Sequence, residues 1–281
     1  MPEKKNNHFI PRMILKYWVT ANSENRKGVY VLDTIKNKSY FSSSVGKRGF
    51  SFAIGNDLYV PKIEGERRFE LENWFGALET TLSKTILKLN SENKEPLFNS
   101  ETEMAKFVLA LFSFKHRTKY VIDKHRKYLN ENPDKLKLIS GRTDDNDELI
   151  LLENIVNATT HDTMKLSNFE MIVMKSKGKK LIMGDMPFLE NITDGFNFLP
   201  LTNKIFIGFR SIKEKSFYHI QEAEDKLVES LNFAIASNSR HWIVADNISQ
   251  LDEYEEELKG NLDKDPIYTP ITFPMRGNTF N

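Results

Sequence analysis

Three polar side chains interrupt apolar stretches of the sequence, and they are of the types that hydrolytic chemistry needs. His8 precedes an apolar pair, Arg117 follows an apolar helical stretch, and Asp185 ends a predicted strand. Histidine titrates near neutral pH and can transfer a proton, and arginine can neutralise the charge that develops on a phosphate. A carboxylate at the end of a strand, before a proline turn, is a frequent functional acid. We therefore expect His8, Arg117 and Asp185 to be catalytic.

A second set of polar residues could bind a metal ion or the substrate. Glu72 and Glu79 are seven residues apart, close to two helical turns, so they share one helix face. Together with Asp185 they could hold Mg²⁺ or Mn²⁺, which prefer carboxylate oxygens. Asn232 lies in an apolar helix, where a buried amide must find partners. We expect Asn232 and Arg117 to bind the substrate.

Each of these residues also has a structural interpretation that the sequence leaves open. His8 could be a partly buried side chain bonded to the backbone, and Arg117 could form an internal salt bridge. The two glutamates of the predicted helix could be solvated. Asp185 could cap its turn, and Asn232 could bridge structural elements.

The composition excludes several kinds of site and indicates no charged partner. The chain has 281 residues and no cysteine, which excludes disulfides, thiolate zinc sites and cysteine nucleophiles. Lysine and arginine (40) nearly balance aspartate and glutamate (39), so no global field indicates nucleic acid or membrane. The first ten residues do not resemble a signal peptide, and no apolar run approaches the roughly 20 residues of a spanning helix. We expect a cytoplasmic protein without a membrane partner.

Common catalytic motifs are absent from the sequence. It has no glycine-rich phosphate loop, no G-x-S-x-G elbow and no H-E-x-x-H motif. Helical ribonucleases carry an arginine and a histidine with four to six residues between them, and the spacing from Arg117 to His125 is too wide for that pattern. These absences remove most of the enzyme classes that a motif would identify.

Hydrophobic periodicity predicts the elements that must position the polar residues. A short ordered element is expected over 8–19, and a small β-meander over 28–60 with strands at 28–33, 39–41, 50–52 and 58–60. Apolar residues then recur at three- and four-residue spacing, and Ser100 with Glu103 forms a helix-start signal. The predicted helices span 66–90, 101–129 and 148–174, with a polar loop at 130–146.

Strands dominate the remainder of the chain. They are predicted over 180–185, 196–199, 205–209, 217–220 and 241–245, with one helix over 222–238. This order predicts an α+β fold of mostly antiparallel sheets with a layer of long helices. We expect residues 1–250 to form a single domain and residues 251–281 to form a peripheral, acidic and Pro-rich tail.

A set of short motifs occurs in an order that resembles one known family. The motifs are His8-Phe-Ile-Pro11 with Leu15, the Val29–Asp33 strand, the Glu72/Glu79 helix, Arg117-Thr118, Asp185-x-Pro187, Pro200-Leu-Thr202 and the Asn232 helix. They span roughly residues 8 to 245. This set resembles the bacterial and fungal family catalogued as domain of unknown function 4238. The resemblance implies a shared fold and a shared polar constellation, without a reaction. Such genes look like accessory or mobile-element genes, which implies a role in conflict with phages or plasmids.

The sequence departs from the family pattern beside Asp185. The family usually has a small hydroxyl residue before the aspartate, where this chain has Gly184, and often Asn after it, where this chain has Met186. If that hydroxyl takes part in a reaction, this chain lacks it.

Two functions follow from these observations. The first is a metal-dependent hydrolase of phosphodiesters or nucleotides, in which His8 moves the proton, Arg117 neutralises the phosphate and the carboxylates hold the metal. The second is a non-catalytic binding or effector module, in which the same residues form a buried polar network. Its partner would be another protein or a second copy of the chain. The near-zero net charge disfavours a general nucleic-acid binder.

Overall fold

Two five-stranded sheets, two two-stranded sheets and a group of helices make up the described part of the chain. The computed structural model describes residues 6–46, 49–56, 58–60, 62–63, 66–67, 69–91, 96–132, 147–166, 168–193 and 195–260. Most of the predicted loop at 130–146 and most of the predicted tail at 251–281 lie outside these ranges. None of the helices described is long and apolar enough to cross a bilayer.

The strands confirm the predicted antiparallel character of the fold. In chain order they are β1 Asn6–His8, β2 Thr20–Ala21, β3 Lys27–Asp33, β4 Lys38–Ser43, β5 Ile54–Asn56, β6 Lys62–Ile63, β7 Glu66–Arg67, β8 Phe169–Ser176, β9 Met183–Gly184, β10 Leu189–Thr193, β11 Phe196–Pro200, β12 Ile205–Ser211, β13 Phe217–Ala223 and β14 Trp242–Ala245. All pairings are antiparallel except that of β13 with β8.

The first sheet joins the two ends of the described chain. Its order is β2-β3-β14-β9, and β4 also pairs with β3. Strand β3 comes from the N-terminal part and β14 from the C-terminal part, with Asp33 opposite Trp242. The sheet therefore brings Asp185, which directly follows β9, beside residues 240–242.

The second sheet has the order β10-β11-β12-β8-β13. Strand β8 lies beside the edge strand β13 and alternates buried and half-buried residues along its first half. One face of the sheet packs on the helices and contributes Met171, Val173 and Ile207 to the larger hydrophobic core. The other face contributes Met174 and Phe206 to the smaller core.

The helices supply most of the larger core. They are α1 Arg12–Leu15, α2 Glu70–Asn90, α3 Glu101–His116, α4 Lys119–Glu131, α5 Asp147–Lys165, α6 Asp225–Asn238, α7 Ile248–Asp252 and α8 Glu255–Lys259. Helix α3 packs on both α2 and α5, while Val228, Leu231 and Ile235 of α6 fill the smaller core. The prediction of an α+β fold with long helices is confirmed.

Several predicted elements were wrong in their extent. The helix predicted over 148–174 ends at Lys165, because the following segment alternates apolar and polar residues and becomes β8. Residues 50–52 are not a strand: Phe50 has φ 58°, and a short 3-10 turn follows it. Residues 58–60 also form no strand.

The helix predicted over 101–129 is two helices, and the break lies at Arg117. Ser100 caps the first by accepting from the Glu103 amide at 3.1 Å, as the sequence predicts. Helix α3 ends at His116, and Thr118 caps α4 by accepting from the Val121 amide at 3.3 Å. The break turns three consecutive cationic or titratable side chains, Lys115 to Arg117, into the interior.

Candidate functional site

Arg117, Glu79 and His8 are brought together between α2, α3 and β1. The Arg117 Nη2 donates to Glu79 Oε1 at 2.8 Å and to the His8 carbonyl oxygen at 3.3 Å. Only 2% of the Arg117 residue is exposed, whereas 31% of the Glu79 side chain is. His8 and Arg117 are therefore neighbours, and solvent reaches part of both His8 and Glu79.

Aromatic rings surround the Arg117 guanidinium. Its Cζ lies 4.5 Å from the ring centroid of Phe75, 5.3 Å from that of Tyr59 and 5.8 Å from that of Phe114. Among the residues described, Nε and Nη1 have no hydrogen-bond partner, and the aromatic faces supply cation–π attraction in their place. Burial alone would lower the pKa of Arg117, but Tyr59 and Glu79 raise it above its ordinary value. Arg117 is therefore a permanently charged anchor inside the fold.

His8 is held at the end of β1 by backbone pairing. His8 lies opposite Ile54, and the next amide, of Phe9, donates to the Ala53 carbonyl at 3.0 Å. The His8 Nε2 lies 3.3 Å from the Gly49 carbonyl oxygen. Burial lowers the pKa of His8 below its ordinary value, so the ring is neutral at pH 7.

A second buried network begins one residue before Arg117 and was not anticipated from the sequence. His116 Nε2 lies 3.0 Å from Asp162 Oδ2, and Lys115 Nζ lies 2.8 Å from both Asp162 Oδ2 and Glu190 Oε1. Burial alone would raise the pKa of Asp162, but the bonds from His116 and Lys115 hold it well below its usual range. This network ties α3 to α5 and to the edge of the second sheet.

Burial also dominates the titration of the histidines near this network. It lowers the pKa of His116 despite the opposing effect of Asp162. Burial, with a smaller contribution from the neighbouring His116, lowers the pKa of His125 to about 4. Both rings are neutral at pH 7 inside the protein.

Asp185 forms a dyad with His241, a residue that the sequence did not single out as functional. Asp185 Oδ2 lies 2.8 Å from His241 Nδ1, and the carboxylate also accepts from the backbone amides of Arg240 at 2.8 Å and His241 at 3.2 Å. A carboxylate only accepts, so the proton of a neutral His241 ring lies on Nδ1 and leaves Nε2 as an acceptor. Asp185 is 2% exposed and the His241 side chain 22%. No described residue bonds Nε2.

The backbone around His241 is fixed from two sides. Thr34 Oγ1 lies 2.9 Å from the Arg240 carbonyl and 2.8 Å from the His241 carbonyl. The Arg240 Nη1 donates to the carbonyls of Ser237, Asn238 and Ser239 at the end of α6. A cation there opposes the negative end of the helix dipole. The dyad therefore sits on a rigid support.

The glycine that departs from the family pattern leaves room for a hydroxyl from elsewhere. A Cβ added to Gly184 would lie 1.9 Å from Ser239 Oγ and 3.1 Å from Ile235 Cγ2. Ser239 Oγ donates to the Ile235 carbonyl at 2.7 Å. The Ser239 hydroxyl therefore occupies the space that a side chain at position 184 would need.

Asn232 lies apart from both clusters and bridges backbone groups. Its Oδ1 accepts from the Ile182 amide at 3.0 Å, and its Nδ2 donates to the Lys180 carbonyl at 2.9 Å. Both ends of the amide are therefore used to dock α6 against the segment before β9. Its geometry is that of a structural bridge.

Glu72, Glu79 and Asp185, the carboxylates expected to hold a metal ion, are not grouped as a metal site in the described part of the chain. Within the described ranges, no group of three or more acidic or histidine side chains is placed to hold a metal ion. Glu79 is bonded to Arg117, and both oxygens of Asp185 accept from the 240–241 segment. Glu72 lies two turns before Glu79 on α2. No chemical step is therefore assigned to a metal ion.

The Asp185–His241 dyad and the Arg117 cluster are connected only indirectly. Among the residues described, no hydrogen bond joins Asp185 to His8 or Arg117. Beside the dyad, Phe52 lies 4.8 Å from Trp242 and 6.4 Å from Phe50, between ring centroids.

A groove with cationic walls adjoins Phe50. It has a volume of about 470 Å³ and is lined by Arg12, Met13, Lys16, Val19, Ser44 and Phe50. Arg12 Nη2 donates to the Ser44 carbonyl at 2.7 Å, which fixes one of the two cations. The lining residues described include no carboxylate, so the groove favours an anion.

Comparisons with known proteins give one match. The model of a family described as "Protein of unknown function (DUF4238)" matches residues 6–249. No curated protein and no solved structure matches the chain.

Proposed function

The chain belongs to the DUF4238 family, whose function is unassigned, and from this premise we propose that it hydrolyses phosphodiesters or nucleotides with His241 as the proton-transfer residue. The observation that carries the proposal is the 2.8 Å contact between Asp185 Oδ2 and His241 Nδ1. A buried carboxylate that orients a partly exposed imidazole is an arrangement that supports general acid–base catalysis.

The proposed reaction uses the free nitrogen of His241. Its Nε2 accepts a proton from the attacking water while the water oxygen bonds to phosphorus. The bond from phosphorus to the leaving oxygen breaks, and the imidazolium returns its proton to that oxygen. Asp185 keeps the imidazole in the required tautomer and stabilises the imidazolium. In this reaction His8 and Arg117 position other groups and do not touch the reacting atoms, because aromatic rings enclose the Arg117 guanidinium.

The phosphate-containing class of substrate is supported by the cationic groove. Arg12 and Lys16 provide two positive charges beside Phe50, and the Phe50–Phe52–Trp242 contacts connect this groove to the residue after His241. A phosphate-bearing chain bound by Arg12 and Lys16 would gain charge-assisted contacts there.

The test is a hydrolysis assay on RNA, single-stranded DNA, duplex DNA and nucleotides. Each substrate is incubated with wild type, with His241→Ala and with Asp185→Asn, in EDTA and with added Mg²⁺ or Mn²⁺. The metal arms test the sequence-based expectation of a metal cofactor separately. The matched control is His219→Ala, which removes a histidine from β13 in the other sheet.

We expect one substrate class to be cleaved by wild type and by His219→Ala. Loss of the dyad member His241 should lower kcat by roughly 10²- to 10⁴-fold, the usual range for a general acid–base residue. An Arg12→Ala, Lys16→Ala variant should raise KM with a smaller effect on kcat. Cleavage that His241→Ala retains in full would contradict the proposal, as would no cleavage by folded wild type.

A specific observation favours the second candidate, a binding or effector module. Arg117, Asp185 and Asn232 are each 2% exposed and use their polar atoms on internal partners or aromatic faces. In that case the polar residues hold the fold and a separate surface binds a partner protein or a second copy. A folded wild type without activity on any substrate would select this candidate. For either candidate we propose a role in conflict with phages or plasmids, tested by plaque assays on cells that carry wild type or His241→Ala.

A further inference from the structure

The groove beside Phe50 combines two cations with an apolar lining. Its volume of about 470 Å³ lies within the roughly 300–1,000 Å³ range of small-ligand sites. Arg12 and Lys16 are exposed, whereas Met13 and Val19 are half-buried and Phe50 is buried. A ligand that fills the groove would therefore meet positive charge and apolar side chains together.

The two cations of the groove are not neutralised within the described part of the chain. Neither Arg12 nor Lys16 forms an ion pair with a described carboxylate. The Arg12 Nη2 donates to the Ser44 carbonyl at 2.7 Å and lies 3.2 Å from the position that a Cβ on Gly49 would take. Lys16 Nζ lies 5.1 Å from the ring centroid of Tyr17. Both cations are therefore held by neutral groups, and a ligand anion would supply their counter-charge.

The backbone of Phe50 also indicates a binding role for this groove. Phe50 has φ 58°, in the left-handed region that a bulky residue rarely adopts. Its amide donates to the Ser43 carbonyl at 2.9 Å, and its carbonyl accepts from the Ala53 amide at 3.0 Å. These two hydrogen bonds hold the residue in its strained conformation. Strain of this kind concentrates at ligand-binding and active sites.

The combination of cations and apolar lining favours a nucleotide over a bare anion. A phosphate alone would use Arg12 and Lys16 and would leave the apolar side chains uncovered. A nucleobase next to the phosphate would cover Met13 and Val19, and the Met13 thioether makes favourable contacts with aromatic rings. A base inside a duplex is stacked and paired, so only an unpaired base can enter the groove.

We propose that this groove binds one nucleotide whose base is unpaired. Its phosphate lies against Arg12 and Lys16, and its base lies against Met13 and Val19. The proposed hydrolysis, on which this assignment rests, then acts on mononucleotides and single-stranded nucleic acid. A duplex offers the groove only its phosphates and binds more weakly.

The experiment is a set of binding titrations with His241→Ala, which keeps the ligands from being consumed. The ligands are AMP, inorganic phosphate and hexyl phosphate, followed by one labelled oligonucleotide alone and annealed to its complement. Because base contacts contribute to affinity, AMP should bind at least roughly fivefold more tightly than either phosphate compound. The single strand should exceed the duplex by a similar factor.

Variants of the groove separate the phosphate contacts from the base contacts. Arg12→Gln and Lys16→Gln should each weaken the binding of AMP and of inorganic phosphate by roughly tenfold. Met13→Ala should weaken AMP by roughly fivefold and leave inorganic phosphate unchanged. The matched controls, Lys226→Gln and Met164→Ala, alter an exposed lysine and an exposed methionine elsewhere and should bind as the parent does. Circular dichroism verifies that each variant is folded.

The imidazole of His8 gives a local readout of occupancy. Burial and, to a smaller extent, the charge of Arg12 lower the pKa of His8. A phosphate bound to Arg12 offsets that charge. Saturating AMP should therefore raise the pKa of His8 in an NMR titration of the ring, and the rise should be smaller in Arg12→Gln.

The outcomes decide the proposal. AMP binding that depends on Arg12, Lys16 and Met13 and raises the pKa of His8 supports it. Equal affinities for AMP and inorganic phosphate overturn it, as do tighter binding of hexyl phosphate, equal affinities for single strand and duplex, or groove variants that bind as the parent does. These results hold whether or not the protein cleaves a substrate. A wild type that binds AMP in the groove but hydrolyses nothing contradicts the proposed function alone.

Discussion

Protonation of the buried His125 should lower the free energy of unfolding at acidic pH. Burial and, to a smaller extent, the neighbouring His116 lower the pKa of this imidazole from 6.5 to about 4. Between these two values the unfolded chain binds a proton that the folded protein does not. The free energy of unfolding therefore falls as the pH falls through this window.

The size of the effect follows from the shift. One pKa unit corresponds to about 1.4 kcal/mol, so the lowered pKa costs about 3 kcal/mol once the pH is below 4. Relative to pH 7.5, about 2 kcal/mol of that loss is already present at pH 5. This is a large fraction of the roughly 5–15 kcal/mol of a typical domain.

The assay is urea unfolding at pH 7.5, 6.5, 5.5 and 5.0 for wild type and His125→Gln. Glutamine carries no charge at any of these pH values, so the variant lacks the contribution of His125 while keeping those of His116 and the carboxylates. We expect wild type to lose about 2 kcal/mol more than the variant between pH 7.5 and 5.

Equal losses in wild type and His125→Gln would refute this reasoning. A larger loss in the variant would do so as well, because it would mean that His125 is more easily protonated in the folded protein than in the unfolded chain. The slope m of each urea curve should stay constant, since a change in m would indicate a different folded or unfolded state.

Two further predictions concern packing. Gly184→Ala should lower the free energy of unfolding by about 1–3 kcal/mol, because its Cβ would clash with Ser239 Oγ. Adding Ser239→Ala should recover part of this loss. Additive losses in a double-mutant cycle would contradict the clash. Arg117→Ala should lower the free energy of unfolding by about 3 kcal/mol or more. Arg117→Met keeps most of the volume between the aromatic rings and should lower it less. Equal urea midpoints for the two variants would show that Arg117 does not stabilise the protein by packing.

The elements that the sequence predicted well are those with one dominant periodicity. Helix α2 follows from its regular apolar spacing, and the start of α3 follows from the Ser100 cap. Strand β8 was missed because the predicted helix was extended past Lys165 into residues that alternate apolar and polar. The helix break at Arg117 was also missed, since it depends on Glu79 and the aromatic rings, which are distant in sequence.

The candidate site was predicted only in part, for a similar reason. His8, Arg117 and Glu79 stand out because polar residues interrupt apolar segments, and they do meet. The partner of Asp185 could not be found that way, because His241 becomes its neighbour only when β14 pairs with β9. Sequence spacing carries no information about that pairing.

The pairing of β3 with β14 has a consequence for the order in which the protein is made. During synthesis β3 leaves the ribosome long before β14. The hydrogen bond from Thr34 to the Arg240 carbonyl can form only after Arg240, 206 residues later, has been added. The hydrogen bond from Trp18 likewise needs the Leu181 carbonyl, 163 residues later. Contacts of such sequence separation form slowly. The nascent N-terminal segment therefore stays incomplete until nearly the whole described chain has been translated, and a stop codon before β14 should yield a product that chaperones and proteases recognise as unfolded.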